Sequence, residues 1–179
     1  MPIKLTTRQR LRVYFLGFIL LLLPVTTLAD QVTNSAENEL IDAASRGQLS
    51  RMRSLLTESH SFLQPTLNQA LIQATLHGQD KVVEFLLNNN ANINAQDEEN
   101  RSLLHLAARD DRIAALRVLL AKGANKDAVT VDGTTALMIA AQYHRIEILR
   151  LLIQAGADIN IGTREGITAL MYAAQLNFQ

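Results

Sequence analysis

Cysteine and tryptophan are absent from this 179-residue chain, prolines number three, and aromatic residues make up 4% of it. Without cysteine there is no disulfide, no Cys/His zinc site and no lipid carried on a thiol, so packing alone must hold the fold. Charge of one sign is lacking too, since 17 Lys and Arg face 17 Asp and Glu. A nucleic-acid binder usually carries a basic excess to meet the phosphates, and no basic patch interleaved with aromatics occurs here. Long hydrophobic runs are missing as well. The longest, over residues 13–23, is closed by Pro24; as a helix it reaches about 16 Å, half the thickness of a bilayer core. Nor is there an H-E-x-x-H, a G-x-S-x-G, a G-x-x-x-x-G-K or a G-x-G-x-x-G pattern. The chain is therefore not expected to be an enzyme, and no cofactor or metal is expected.

The balanced charge conceals two unlike pieces. Residues 1–29 hold Lys4, Arg8, Arg10 and Arg12 and no acid, which leaves 13 basic against 17 acidic side chains in the remainder. A basic start, a short apolar centre and small residues at Thr27 and Ala29 are the three parts of a secretory signal peptide, with cleavage after Ala29. An uncleaved N-terminal anchor is the alternative. Export without cysteine suits a bacterial periplasmic protein, with secretion as the other destination. The remaining chain, with 19% charged residues overall, has the composition of a globular protein.

That remainder repeats itself. Five segments align, beginning at Ala43-Ala44, Ala74-Thr75, Ala107-Ala108, Ala140-Ala141 and Ala173-Ala174. Each is followed by a slot at Gly47, Gly78, Asp111, His144 or Asn177, so the spacings are 31, 33, 33 and 33. These residue types tolerate positive φ, and a left-handed loop residue is predicted at each. Paired aliphatics come next (Leu55-Leu56, Leu86-Leu87, Leu119-Leu120, Leu152-Ile153), then a second slot at Ser59, Asn90, Gly123 and Gly156 that fits a helix C-cap. Leu104, Leu106 and Ala107 share a face of one short helix; Ile113, Leu116, Leu119 and Leu120 share a face of the next. The units are expected at about 36–64, 65–96, 97–129, 130–162 and 163–179, the last partial, behind a linker over 30–35. The fold class predicted is an all-α solenoid of helix–turn–helix units joined by β-turn or hairpin loops.

Residues 97–160 resemble two ankyrin repeats. The family pattern Gly-x-Thr-Pro-Leu-His-x-Ala-Ala stands here as Asn100-Arg101-Ser102-Leu103-Leu104-His105-Leu106-Ala107-Ala108. It returns as Gly133-Thr134-Thr135-Ala136-Leu137-Met138-Ile139-Ala140-Ala141 and as Gly166-Ile167-Thr168-Ala169-Leu170-Met171-Tyr172-Ala173-Ala174. The family's Pro is replaced by Leu103, Ala136 and Ala169, and its His survives only as His105. The first unit is degenerate and is expected to cap the stack. The resemblance implies that His105 bonds backbone in the adjoining turn. The other histidines offer no metal site: His144 fills a loop slot, His77 lies next to one, and His60 belongs to the irregular first unit. Equivalent slots on neighbouring repeats stand about 10 Å apart, too far to share a metal ion. Residues 158–162 fail as a calcium loop because their glycine is one place early and Ala169 stands where the loop needs Glu. The glycosylation sequon Asn100-Arg101-Ser102 matters only in a eukaryotic source.

The resemblance further implies a non-catalytic module that binds a protein partner through a concave surface, with turn tips as fingers and first helices as palm. Its contact positions fall on Glu98, Glu99, Arg101, Arg109 and Asp110 in the third unit. In the fourth they fall on Val131, Asp132, Thr134, Gln142 and Tyr143, and in the fifth on Arg164, Glu165, Ile167, Gln175 and Leu176. Tyr143 is the best single anchor, because aromatics concentrate binding energy. The partner expected is a protein, with no nucleic acid and no membrane once the leader is removed. Two rival roles share this scaffold: a protective or assembly factor for an exported enzyme, and an effector delivered to a host cell. The fifth unit has only its first helix and carries Ile167, Leu170, Met171, Leu176 and Phe178. A monomer with these partly exposed is expected, with a truncated frame, or a partner or second copy covering the edge, as alternatives.

Overall fold

The computed structural model describes residues 26–58 and 62–176. The chain divides into two units, 1–36 and 37–179. Of the first unit only residues 26–36 are described, and these are helical. The expected leader therefore lies, up to residue 25, outside the described residues. Residues 30–35, expected as a linker, instead belong to helix α1 (Thr26–Ser45). None of the helices described is long and apolar enough to cross a membrane.

The second unit is a succession of short helices: α2 (Leu49–Glu58), α3 (Gln64–Leu76), α4 (Asp80–Asn88), α5 (Leu103–Arg109), α6 (Ile113–Ala121), α7 (Ala136–Gln142), α8 (Ile146–Gln154) and α9 (Ala169–Leu176). No strand occurs among the described residues. In its place, single antiparallel bridges Gln96–Ser102, Val129–Thr135 and Gly162–Thr168 close three hairpin turns. The all-α repeat solenoid read from the sequence is the fold observed. Its chain reversals occur at the two predicted slots. Gly47, Gly78, Asp111 and His144 have φ of 72°, 69°, 57° and 56°, and Asn90, Gly123 and Gly156 have 66°, 85° and 78°. Asn177 and Ser59 lie outside the described residues.

Packing follows from the apolar register. The alanine pairs Ala43-Ala44, Ala107-Ala108 and Ala140-Ala141 are buried, and so are Leu86, Leu116, Leu119, Ile148 and Leu152 on the second helices. Small residues on the first helices let each unit approach the next closely. A column of long side chains then ties unit to unit. Gln79 Nε2 donates to Ser45 O at 3.3 Å, Arg112 Nε to Leu76 O at 2.8 Å, and an Arg145 guanidinium nitrogen to Arg109 O at 3.4 Å. Each donor sits just past a left-handed slot and caps a carbonyl at the end of the preceding first helix, where no intrahelical partner exists.

A third left-handed column, Asn100, Gly133 and Gly166, stands at the turn tips with φ of 57°, 86° and 78°. The two glycines differ in their surroundings. A Cβ on Gly133 would meet Thr163 Cα at 3.1 Å and Arg164 N at 3.3 Å, whereas on Gly166 it would meet nothing within 4 Å. Both Ala variants take on the left-handed strain of about 1 kcal/mol. Gly133→Ala must in addition push back the next finger's backbone, so its expected loss is about 2 kcal/mol against about 1 for Gly166→Ala. Urea denaturation of the two variants checks the order; equal losses would remove the finger contact as a stabilising element.

Candidate protein-interaction surface

Each turn tip is stapled by its first side chain. Asp97 Oδ1 accepts from the amides of Glu99 and Arg101 at 3.0 and 2.9 Å. Thr130 Oγ1 accepts from Thr134 N at 3.1 Å, and Thr163 Oγ1 accepts from Glu165 N and Ile167 N at 3.3 Å. These short side chains stand in for backbone acceptors, the ordinary use of Asp and Thr in turns. Successive tips also touch directly, with Arg164 N donating to Asp132 O at 2.9 Å.

Charge at the tips is internally matched. Arg101 bonds Asp97 Oδ2 through Nε and a terminal nitrogen, both at 2.7 Å, and reaches Glu99 at 2.5 Å. Arg109 bonds its neighbour Asp110 at 2.8 Å. Burial pushes the Asp97 carboxyl up, but the bonds from the Arg101 amide and guanidinium win and hold it below the usual range. The Arg109 guanidinium lowers Asp110 and is itself raised by that bond. Asp132 is lowered by the hydroxyls of Thr130 and Thr134, which both donate to it. All three carboxylates are thus fixed in the ionised form at neutral pH.

Seven of the residues singled out from the sequence come together. Glu99, Arg101, Arg109, Asp132, Thr134, Gln142 and Tyr143 line one open depression of about 320 Å³ with Thr130 and Ile139. Its walls are two turn tips and its floor the ends of α5 and α7. Tyr143, the C-cap of α7, is 46% exposed there. A neighbouring depression of about 450 Å³ takes Glu98, Glu99 and Arg101 together with Gln69, Ile72, Gln73 and Leu76 of α3. Val131, Asp132, Arg164 and Glu165 are exposed at the tips, Asp132 also lining the first depression, and Asp110 is half-buried. Gln175 is exposed and Ile167 half-buried; the Leu176 side chain and Phe178 lie outside the described residues.

The family model for ankyrin repeats (3 copies) matches residues 40–130 and again 104–179. The chain belongs to the ankyrin-repeat family. Ankyrin repeats are generally protein–protein interaction modules and generally non-catalytic. The ankyrin register also explains what the sequence reading missed. The expected contact positions fall on the third, fourth and fifth units only, where the repeat motif is plainest. One repeat earlier, Arg109 becomes Leu76 (33 residues back), and Leu76 does line the second depression. Thr130 and Ile139 have no such signal, since one reads as a turn former and the other as core.

His105 behaves as the ankyrin resemblance implies. Its ring is 1% exposed. Nδ1 accepts from the Ser102 amide at 3.1 Å, and Nε2 donates to Thr134 O in the next turn at 2.9 Å. His77 Nδ1 lies 2.9 Å from Gln73 O, and His144 occupies its left-handed slot. His60 lies outside the described residues.

Proposed function

We propose that this ankyrin-repeat protein is an exported, non-catalytic binding module that holds a protein partner in the depression between its third and fourth turn tips and α5 and α7. The observation that carries the reading is the convergence of Arg101, Arg109, Asp132, Gln142 and the half-exposed Tyr143 on one open surface. An aromatic flanked by arginines with a polar rim is the composition of an interface hot spot. The carboxylates already satisfy much of the guanidinium charge, so the side chains are held before a partner arrives and little ordering entropy is lost on binding. The basic start and apolar centre of residues 1–29 support export, with the bacterial periplasm as destination.

Tyr143→Ala is expected to weaken partner capture about tenfold or more while leaving the helical circular dichroism unchanged. Arg101 is a poorer choice, because its removal also releases Asp97 and loosens the turn. Capture from periplasmic extract, quantified by mass spectrometry, compares wild type, Tyr143→Ala and the control Lys81→Ala on α4. Identical protein profiles for all three would reject this surface as the binding site.

A further inference from the structure

The depression that holds Tyr143 does not stand alone. The second depression, of about 450 Å³, adjoins it across the third turn tip, and Glu99 and Arg101 line both. The two are one repeat apart: Leu76, Glu99 and Arg101 stand in the second where Arg109, Asp132 and Thr134 stand in the first. Each has an apolar part, Ile72 and Leu76 in the second and Ile139 and Tyr143 in the first. The carboxamides of Gln69, Gln73 and Gln142 line the same strip, and such groups can both donate to and accept from the backbone of an extended chain. Charge along the strip is uneven. Five carboxylates, Asp97, Glu98, Glu99, Asp110 and Asp132, line or brace it against Arg101 and Arg109. Both guanidiniums are already engaged, Arg101 by Asp97 and Glu99 and Arg109 by Asp110. Glu98 is exposed and meets no cation among the described residues. The Asp132 side chain is held by the hydroxyls of Thr130 and Thr134, again with no cation paired to it among the described residues.

We propose that the partner protein presents an extended, cationic segment to this strip, with an aliphatic side chain over Ile72 and Leu76 and an Arg three residues away against Tyr143 and Asp132. The proposal rests on the function proposed above and adds the chemistry of the partner. Equivalent places on neighbouring repeats are about 10 Å apart, and three residues of extended chain cover about the same distance. Arg suits the place beside Tyr143 because a planar guanidinium stacks on an aromatic face and forks onto a carboxylate. Glu98 borders the aliphatic place and takes a second cation. An anionic segment would have to break the Arg101 and Arg109 pairs to find a charge. A second copy of this chain is the wrong occupant, since residues 30–179, left after the expected cleavage, hold 17 acidic against 13 basic side chains. The strip also lies between complete units, away from both ends of the stack.

The probe is the fluorescein-labelled peptide Gly-Arg-Ala-Ala-Leu-Ala-Ala-Arg-Gly, blocked at both ends and titrated by anisotropy into the full chain. Its two arginines flank the leucine at equal spacing, so either chain direction is open to it. The expected Kd is roughly 10–300 μM at about 20 mM salt, weakening about fivefold or more at about 300 mM. Glu98→Lys, Asp132→Asn and Tyr143→Ala should each weaken binding about two- to fivefold, whereas Lys81→Ala on α4 should leave it unchanged. All of these side chains except Lys81 are exposed at the strip, and circular dichroism verifies that the variants keep their helices. No binding up to about 1 mM overturns the proposal, as does equal binding of a peptide with Glu in place of both Arg. A wild-type dimer at low salt that Glu98→Lys dissociates in sedimentation equilibrium also overturns it, because the occupant is then a second copy. The two readings fail separately. Partner capture lost on Tyr143→Ala but kept by the Glu98→Lys, Asp132→Asn double variant overturns the cationic segment alone. Capture unchanged by Tyr143→Ala removes the surface, and the segment with it.

Discussion

Leu116→Ala is expected to lower the unfolding free energy by about 3–4 kcal/mol, within the range for a fully buried leucine cut back to alanine. Leu116 is 0% exposed on α6, in the third of the five units. α6 packs against α4, α5 and α8, so a cavity there touches both neighbouring units as well as its own. Contacts in a solenoid reach only adjacent repeats, and a weakened central unit uncouples the halves on either side. The loss is a large share of the 5–15 kcal/mol typical of a domain. The urea midpoint should fall, and the slope of the transition should fall with it if the halves melt separately. Leu170→Ala gives the contrast, because that side chain is 76% exposed and its loss should stay within about 0.5 kcal/mol. Urea titrations followed by far-UV circular dichroism measure both. Similar losses for the two leucines would mean that Leu170 is as well covered as the core.

The same comparison shows which features are legible in the chain and which are not. Leu137 and Leu170 occupy one register position, and the register was readable because it rests on residues with a single physical purpose. Alanine pairs permit close helix approach, and Gly47, Gly78, Asp111 and His144 tolerate positive φ. The start of α1 was not legible. Residues 30–36 show no apolar stripe, and their Asp, Thr, Asn and Ser favour turns and caps over helix interiors. The side-chain struts at Gln79, Arg112 and Arg145 had a sequence signal in their common register, but a long polar residue in a loop more often faces solvent. At the candidate surface, position was legible and pairing was not. Glu99, Arg101 and Arg109 line the depression, yet the three carboxylates paired with the arginines, Asp97, Glu99 and Asp110, all lie within four residues of them along the chain. Such pairing depends on side-chain rotamers within a turn, which repeat spacing does not encode.

His105→Ala is expected to cost about 3–4 kcal/mol at pH 8, and the deficit should shrink as the solution is acidified. Removing the ring leaves the Ser102 amide without its partner in a buried place, at about 1–3 kcal/mol, takes one bond from the Thr134 carbonyl, which keeps the Thr130 amide at 3.0 Å, and leaves a void beside them. The sign of the pH effect follows from the ring's surroundings. Burial is the main cause that pushes the imidazole below its ordinary 6.5; Arg101 adds to it, and the pull of Thr134 O, Asp97 and Asp132 the other way does not offset it. Protonation at Nδ1 would also set a second donor against the Ser102 amide. A depressed folded-state value means that the unfolded chain binds the proton first, so stability is complete above pH 6.5 and declines as the pH falls from there to the folded value. The lowered carboxylates Asp97, Asp110 and Asp132 act in a separate window: what they contribute is present above 3.8 and lost below it. His105→Met isolates the ring's polar role, since Met138 fills the same register position at 1% exposure. It keeps the volume, should cost only about 1–2 kcal/mol, and should lose the decline below pH 6.5. Urea titrations of wild type and both variants at pH 8, 6.5 and 5 test this. A wild-type midpoint that tracks His105→Met in parallel across that range would show that the ring's protonation does not govern stability there.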